Sequence, residues 1–456
     1  MQLIIGSQVT LIDKGTQKLF PYGKVLALLS KFKDICLDIQ WNVNVPARDN
    51  CKILPDTESI ALKGFYPREF QQKCIDKFTR TTLTGYIYAP TGAGKTNIAA
   101  YLIAKRNIRT LFIVPKSDLV RQTKQRFQSI LDIDPDMIGE LSSSKKEFGA
   151  PILITTWQSL NTDASLKQVI EDKYSMIICD EMHKASANVY YDLVSKIPAM
   201  YKHGLTATPY RNNTKNEQRL FELVGDEISQ IDIEELYTNN YLVRPHIYFK
   251  DTHYKIDIEK PYLQSLDFNI KLGMLKKNID KSKKRQERII TDITNTLQIE
   301  RKKYNCNRSV ILVNTLDLGI LLKETLEKDF HVVYLDANTK AKQREEIFNN
   351  LSNALVTDYV LIGTSKLLGE GTDIPSIRNV FCASPAYPPF EDTARMQQII
   401  GRAIRPFEEK EKANIIIYND QTSGWIEKKK ENVFNIVCTN VHPKICTGFS
   451  KSPHRV

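Results

Sequence analysis

The sequence predicts an α/β protein in which two doubly wound parallel sheets follow one another behind a small amino-terminal module, and three observations predict it. Short apolar runs alternate with helical patterns through two separate stretches of the chain. One run, Tyr86 to Tyr88, passes through a Gly-rich turn into a helical pattern. Another, Tyr174 to Cys179, ends on two adjacent carboxylates. Alternation of this kind implies parallel strands with crossover helices.

Residues 1–60 carry short apolar runs at Leu3–Ile5, Val9–Ile12 and Leu37–Val43, with a helical stretch at Lys24–Phe32, and predict a small α/β or α+β accessory module. It has no catalytic constellation, which leaves two roles open: packing onto the larger domains, or contact with a charged partner. Residues 61–235 form the first sheet domain, with strands at Tyr86–Ala89, Thr110–Val114, Ile152–Thr155, Met176–Cys179 and Gly204–Thr206. Residues 236–307 are expected to be a linker followed by a basic helical segment. Within residues 271–303 eleven Lys or Arg face four acids, a net of +7. Such a block is either a solvated helix face or a set of phosphate contacts. Residues 308–420 form the second sheet domain, with strands at Ser309–Asn314, Val332–Leu335, Tyr359–Gly363, Val380–Ala383 and Asn414–Tyr418. Residues 421–456 are a basic tail (Lys428, Lys429, Lys430, Lys444, Lys451, Arg455) whose Gly/Ser/Pro ending predicts disorder.

Composition narrows the class. The 456 residues hold 64 Lys+Arg against 53 Asp+Glu, a formal charge of +11, which suits a polyanionic partner. The eight Cys are scattered without a Cys-x-x-Cys pair, which argues against zinc and predicts reduced thiols; Cys179 and Cys382 sit in apolar runs as small core residues. No run of about 18 apolar residues occurs, so a protein that is neither secreted nor membrane-spanning is expected, in a cytoplasmic compartment.

The chemistry sits in a few short segments. Ala89-Pro90-Thr91-Gly92-Ala93-Gly94-Lys95-Thr96 follows a strand and opens a helix, the context a phosphate-binding loop requires. Its small residues let backbone amides approach phosphates, Lys95 supplies charge to the β- and γ-phosphates, and the Thr96 hydroxyl is a ligand for Mg2+. Asp180 and Glu181 end a strand where α/β sheets bind ligands; one carboxylate can hold the metal and the other can activate water. Gln398-Ile399-Ile400-Gly401-Arg402-Ala403-Ile404-Arg405 places two cations one helical turn apart, where they can neutralise charge on a transferring phosphoryl group.

Their joint occurrence, in this order, resembles the superfamily 2 helicases of the DExH type over residues 60–420. Further segments carry the resemblance: Arg68-Glu69-Phe70-Gln71, Val114-Pro115-Lys116-Ser117, Thr155-Thr156-Trp157-Gln158-Ser159-Leu160, Leu205-Thr206-Ala207-Thr208-Pro209, Ile311-Leu312-Val313-Asn314-Thr315, Gly363-Thr364-Ser365 and Gly369-Glu370-Gly371-Thr372-Asp373-Ile374-Pro375. The resemblance implies two RecA-like motor domains, ATP with Mg2+ as the fuel, and DNA, single-stranded or branched, as the partner, with RNA not distinguished by these motifs. It implies that Arg68 and Gln71 meet the adenine, that residues 90–96 with Gly371 and Asp373 bind nucleotide, and that Asp180 and Thr96 serve Mg2+. Arg402 and Arg405 are then finger arginines, and Gln398, counted with the catalytic residues, reports nucleotide state together with His183. Strand contacts fall to Pro115, Lys116, Thr156, Asn314, Thr315, Thr364 and Ser365, and coupling to His183, Thr206 and Thr208. The short layout is similar to phage branch-migration helicases of the UvsW type, which places the expected activity on forks and junctions in a phage-infected host cytoplasm. Two departures, Ala89 for Gly and Met182 within the Asp-Glu-Met-His box, remove no reacting group. An RNA-directed helicase, a duplex translocase without strand separation and an inactive binding scaffold are the alternatives.

Overall fold

The computed structural model describes residues 2–5, 8–13, 16–21, 41–43, 52–81, 84–182, 188–207, 223–255, 274–275, 277–353, 355–364, 367–368, 374–385, 400–408, 410–421, 438 and 441–445. Two compact units divide the chain, residues 1–90 with 94–232 and residues 91–93 with 233–456.

In the first unit β1 (Gln2–Ile5), β2 (Gln8–Asp13), β3 (Thr16–Pro21) and β4 (Trp41–Val43) make a four-stranded sheet ordered β3-β2-β1-β4. β1 pairs antiparallel with β2 and parallel with β4, and β2 pairs antiparallel with β3. The strand β3 was hidden because its first half, Thr16-Gln17-Lys18, is polar. The expected helix at Lys24–Phe32 lies outside the described residues.

The rest of this unit runs α1 (Glu69–Thr81), β5 (Thr84–Tyr88), α2 (Lys95–Arg106), β6 (Thr110–Val114), α3 (Ser117–Ile130), β7 (Ile138–Leu141), β8 (Ile152–Thr156), α4 (Trp157–Leu160), α5 (Asp163–Glu171), β9 (Met176–Cys179), α6 (Asn188–Lys196), β10 (Tyr201–Thr206) and β11 (Glu227–Gln230). The seven strands form one sheet, β11-β5-β10-β9-β6-β8-β7, with every pairing parallel. β6, β8 and β9 are buried at every position, which is why they read as unbroken apolar runs rather than alternating ones. Sequence patterning missed β7, interrupted by Gly139 and Glu140, and β11, whose Ile228 is its single apolar residue. Leu111, Ile113, Leu153, Ile177 and Cys179 pack in one cluster with Val194 of α6 and Ile197 just beyond its end.

The second unit runs α7 (Ile233–Thr238), β12 (Pro245–Lys255), α8 (Lys283–Tyr304), β13 (Asn307–Val313), α9 (Leu316–Leu326), β14 (Val332–Leu335), α10 (Ala341–Leu351), β15 (Asp358–Thr364), β16 (Asn379–Cys382), β17 (Ala413–Gln421) and β18 (Lys444–Ile445). Its sheet is β14-β15-β13-β16-β17-β12-β18, again parallel throughout. The two sheets are those of tandem RecA-like domains. Of the linker and basic helical segment expected over residues 236–307, the stretch before the helix carries a strand, β12, whose Pro245–Asp251 pair with Ala413–Asn419 of β17, whereas the helical segment is α8, which covers the sheet with Ile289, Ile293 and Leu297 in the core. Spacing of four residues keeps those three on one face, and each contributes about 1.5–3 kcal/mol by leaving water. The basic residues Lys283, Lys284 and Arg288 fall on the exposed face, whereas Arg285 is fully buried, so one of the expected surface cations belongs to the interior. In the tail expected to be disordered, residues 441–445 are ordered, and 422–437, 439–440 and 446–456 lie outside the described residues. Lys444–Ile445 pair with His246–Ile247, and the Tyr237 hydroxyl donates to the Val441 carbonyl at 2.6 Å. A two-residue strand is too short to leave a periodic signal. Among the described residues no helix is long and apolar enough to cross a membrane.

Among the described residues, Lys202 and Lys410 are buried with no described carboxylate within salt-bridge distance. Lys202 Nζ donates to the Val194 carbonyl at 3.3 Å, and Lys410 Nζ donates to the Pro375 and Arg405 carbonyls at 2.9 Å each. Burial lowers Lys202 to about 8, and burial with the neighbouring Arg378, Arg405 and Arg308 lowers Lys410 to about 7. In the unfolded chain a lysine keeps its proton to about pH 10.4, so from near neutrality upward the unfolded state binds more protons and stability rises with pH. Below both folded values the cost of the buried charge is fully present. Urea titrations between about pH 6.5 and about pH 9 are expected to show a shallower rise for Lys410→Met and for Lys202→Met than for the parent. Parallel curves for all three proteins would contradict the assignment.

Candidate active site

Because the strands are parallel, the loops leaving their carboxyl ends share one edge of each sheet. In the first unit β5 is extended by the Ala89 amide, which donates to the Thr206 carbonyl at 2.8 Å. The chain then turns through Pro90–Gly94. Gly92 (φ 91°) and Gly94 (φ 81°) both adopt positive φ, the region where a Cβ is strained. Gly94 is also the N-cap of α2 and brings no side chain to the first-turn amides, so those amides and the helix dipole face the loop.

Lys95 Nζ lies 3.2 Å from Glu181 Oε1, with only 11% and 16% of the two side chains exposed. The partner carboxylate arrives through a sharp turn. The Asp180 amide donates to the Ile113 carbonyl at 2.9 Å and so prolongs the ladder, and the Glu181 amide then donates to Asp180 Oδ1 at 3.0 Å. Glu181 has φ 48°, a left-handed conformation that is uncommon without a glycine and clusters at functional sites. Met182, the departure in this box, is 1% exposed, and its sulfur occupies the space beside Gly204, where an added Cβ would sit 2.1 Å away. Gln71, in the first turn of α1, is 3% exposed; its Oε1 accepts from the Arg68 amide at 3.0 Å, and a Cβ on Gly94 would come within 2.7 Å of its Nε2. Thr96 follows Lys95 at the start of α2 and is half-buried. Arg68, Gln71, Gly94, Lys95, Thr96, Asp180 and Glu181 thus lie in the first unit, with the Gln71 amide against the loop and the Glu181 carboxylate against Lys95.

The other carboxyl-end residues differ among themselves. Pro115 and Lys116 follow β6 and are half-buried, with Lys116 as the N-cap of α3. Thr156, expected among the strand contacts, is 3% exposed, and its hydroxyl accepts from the Ser159 amide at 3.2 Å, capping α4. The exposed polar side chain of that loop is Gln158. Thr206 is fully buried at the end of β10. His183 and Thr208 lie outside the described residues.

In the second unit Asn314 and Thr315 follow β13. The Asn314 amide donates to Ser384 Oγ at 2.8 Å, and Thr315 Oγ1 donates to Asp280 Oδ2 at 2.9 Å. Thr364 ends β15, its hydroxyl accepting from the Leu367 amide at 3.3 Å. Arg402 Nη1 donates to the Leu368 carbonyl at 2.9 Å. Arg405 does not share a helix face with it. Helical structure covers Ile400–Ala403 and closes in a turn, because the residue before Pro406 is steered away from the helical region. Gly371, Asp373, Ser365 and Gln398 lie outside the described residues. Sequence reasoning passed over Lys410, which ties the carbonyls of Pro375 and Arg405 together, and Asp280 and Ser384, which hold the Asn314–Thr315 loop. Each is a lone polar residue without motif context, and its significance lies in contacts across the fold.

Residues 64–211 match the family of the type III restriction enzyme res subunit, and residues 288–406 match the helicase conserved C-terminal domain. A DNA 3'-5' translocase XPB2 of Sulfurisphaera tokodaii is 26% identical over 68% of this chain and 72% of its own length. Among solved structures, the ATP-dependent Type ISP restriction-modification enzyme LlaBIII bound to DNA superposes with a TM-score of 0.60 at 14% identity. It covers 92% of this chain, which spans only 33% of that protein. The Pyrococcus furiosus Hef helicase domain superposes with a TM-score of 0.51 at 17% identity, over 78% of this chain and 95% of its own. At these identities the structural likeness concerns the fold.

Gly94→Ala is expected to lower ATP affinity by about tenfold or more, since the new methyl enters the space of the Gln71 amide and the loop loses its left-handed turn. The accompanying strain is about 1–2 kcal/mol, readable in urea unfolding. Wild-type affinity in equilibrium nucleotide binding would show that the loop tolerates a side chain there.

Proposed function

Since the chain carries the two halves of a superfamily 2 helicase core, we propose that it is an ATP-driven DNA motor that remodels forks and junctions. The observation that supports this most is the Lys95–Glu181 pair at the head of α2, beside Asp180. The ammonium and the carboxylate neutralise one another at 3.2 Å. A triphosphate binding at the loop competes for Lys95, and Glu181 is then released to accept a proton from the attacking water. The switch from lysine partner to general base lies within a single ion pair.

The residues fit the nucleotide and its metal. Two positive-φ glycines and an N-terminal helix turn suit a polyphosphate. The Thr96 hydroxyl and the Asp180 carboxylate are hard oxygen donors suited to Mg2+, which when bound neutralises phosphate charge. Among the described residues no group of three His, Cys, Asp or Glu converges to hold a metal. Gln71 and Arg68 serve the adenine, Gly371 and Asp373 the nucleotide, and His183, Thr206, Thr208 and Gln398 the coupling of nucleotide state to movement. Arg402 and Arg405 are the cations for the transferred phosphoryl group. Lys116, Gln158, Asn314, Thr315, Thr364 and Ser365 meet the strand, chiefly through phosphates, because a motor steps on any sequence. The preference for branched DNA rests on the layout shared with UvsW-type helicases, and a role in replication or recombination follows from it. A second reading, a duplex translocase that does not separate strands, is favoured by the description of the Sulfurisphaera relative as a translocase.

Lys95→Ala is expected to abolish turnover by removing phosphate-binding charge, whereas Glu181→Gln binds ATP and hydrolyses it slowly. Near-normal steady-state hydrolysis by Glu181→Gln would remove that carboxylate from the mechanism.

Nucleic acid is expected to stimulate hydrolysis, and Arg402→Ala and Arg405→Ala each to lose most of the stimulated rate, within the about 10³ to 10⁵ seen when a finger arginine is removed. A panel of single strands, duplexes, forks and four-way junctions, in DNA and RNA, separates the readings. Forks and junctions dominate if the motor remodels branches, duplex stimulation without unwinding marks the translocase, and equal rates with and without nucleic acid contradict both. Of the cluster Lys281, Lys283, Lys284 and Arg285, the three lysines enter this test and Arg285 does not, because it is buried. Neutralising them reduces the log-log salt slope by at most about 2.7, at about 0.9 per phosphate.

A further inference from the structure

Asp280 lies just before α8 and is 2% exposed, yet its carboxylate reaches two separate loops at the carboxyl edge of the second sheet. Its Oδ2 accepts from Thr315 Oγ1 at 2.9 Å and from Ser384 Oγ at 2.8 Å. Ser384 Oγ in turn accepts from the Asn314 amide at 2.8 Å. One oxygen therefore fixes the loop after β13 twice, directly through Thr315 and through Ser384 to Asn314.

The behaviour of Thr315 is informative. It occupies the N-cap of α9, where a threonine hydroxyl ordinarily accepts from a first-turn amide, but here it makes no such bond. The hydroxyl has turned its proton to Asp280 instead. A charge-assisted hydrogen bond is stronger than a neutral cap, so the carboxylate decides the rotamer. The charge itself is held in place by the fully buried Arg285, whose Nη1 is 3.7 Å from Asp280 Oδ1 and whose Nε donates to Asp420 Oδ1 at 2.7 Å. Among the described residues Asp280 Oδ1, Asp420 Oδ2 and both Arg285 Nη atoms have no hydrogen-bond partner. A buried triad so incompletely satisfied adds little or nothing to stability over apolar side chains of the same volume. Stability alone does not account for it.

We propose that Asp280 is a positioning residue for strand contact: by accepting from the Thr315 hydroxyl and holding Ser384, its buried carboxylate fixes the Asn314–Thr315 backbone in the arrangement that meets a nucleic-acid phosphodiester chain. The inference rests on the reading that Asn314 and Thr315 touch the strand. Asp280 itself touches no ligand and acts through the two loops. Its negative charge is kept from the phosphates by burial, and only its orienting effect reaches the surface.

The test uses the full chain and a single-stranded DNA oligonucleotide, reading the DNA concentration that half-saturates ATPase stimulation against the rate at saturating DNA. Asp280→Asn is expected to raise the half-saturating concentration about tenfold, equivalent to about 1.4 kcal/mol, with a much smaller change in the saturated rate. Thr315→Val raises it too, and the double variant is no worse than the worse single one, because both remove the same contact. Ser384→Ala cuts the link to Asn314 without touching the ion triad; it shifts DNA dependence in the same direction and carries the test if Asp280→Asn does not fold. Asp420→Asn disturbs Arg285 from its other side, and its effect appears in thermal stability rather than in DNA dependence. Equal effects of Asp280→Asn and Asp420→Asn on both readouts would reduce Asp280 to a structural residue and overturn the proposal. Weakened DNA dependence in Thr315→Val but not in Asp280→Asn or Ser384→Ala would overturn it while leaving the strand reading intact. Unchanged DNA dependence in Asn314→Ala and Thr315→Val would overturn the strand reading itself.

Discussion

Parallel pairing forces every strand of a sheet to finish at the same edge, and the chemistry of this chain depends on that constraint. β5, β6, β8, β9 and β10 contribute the phosphate loop, Lys116, Thr156, the Asp180–Glu181 pair and Thr206, residues spread over more than a hundred positions of sequence. In the second unit β13, β15 and β16 bring Asn314, Thr364 and Ser384 to a common edge in the same way. Antiparallel pairing would have sent alternate members of each set to opposite edges. The buried strands supply the rigidity, and the loops supply the groups.

Charge is treated differently in the two units. In the first, Lys95 and Glu181 hold each other half-buried at the turn that the proposed function assigns to a polyphosphate. In the second, Arg285 between Asp280 and Asp420 is fully enclosed and has no route to solvent. Lys410 is a third case, an ammonium satisfied only by backbone carbonyls and crowded by arginines. It holds the chain on either side of two motif segments without an opposing acid.

The parts of the fold that were legible in the sequence are those governed by local rules. Continuous apolar runs such as Thr110–Val114 and Met176–Cys179 mark strands buried on both faces, and the Gly94 turn follows from the demand for positive φ beside Lys95. What escaped is decided at a distance. β12 carries Lys250, Asp251 and His253 among its apolar residues and is a strand because β17 pairs with it. Arg285 resembles its neighbours Lys283 and Lys284 in sequence, and only its angular position on α8, level with Ile289 and Ile293, turns it inward. The same limit applies to the candidate site: that the Thr156 hydroxyl caps α4 follows from the turn into Ser159, which the motif alone does not show.

The pairing of β18 with β12 has a consequence for biosynthesis. The Tyr237 hydroxyl and the Val441 carbonyl that meet beside this pairing are 204 residues apart. During translation the first sheet has all seven of its strands once Gln230 has emerged, whereas the second lacks its last strand until residue 445 is made. For that interval the His246–Ile247 backbone on the β12 edge offers unpaired amides and carbonyls, the kind of edge that recruits foreign strands. The order of synthesis thus leaves the second sheet exposed longest, and the few residues of β18 act as its closing stitch.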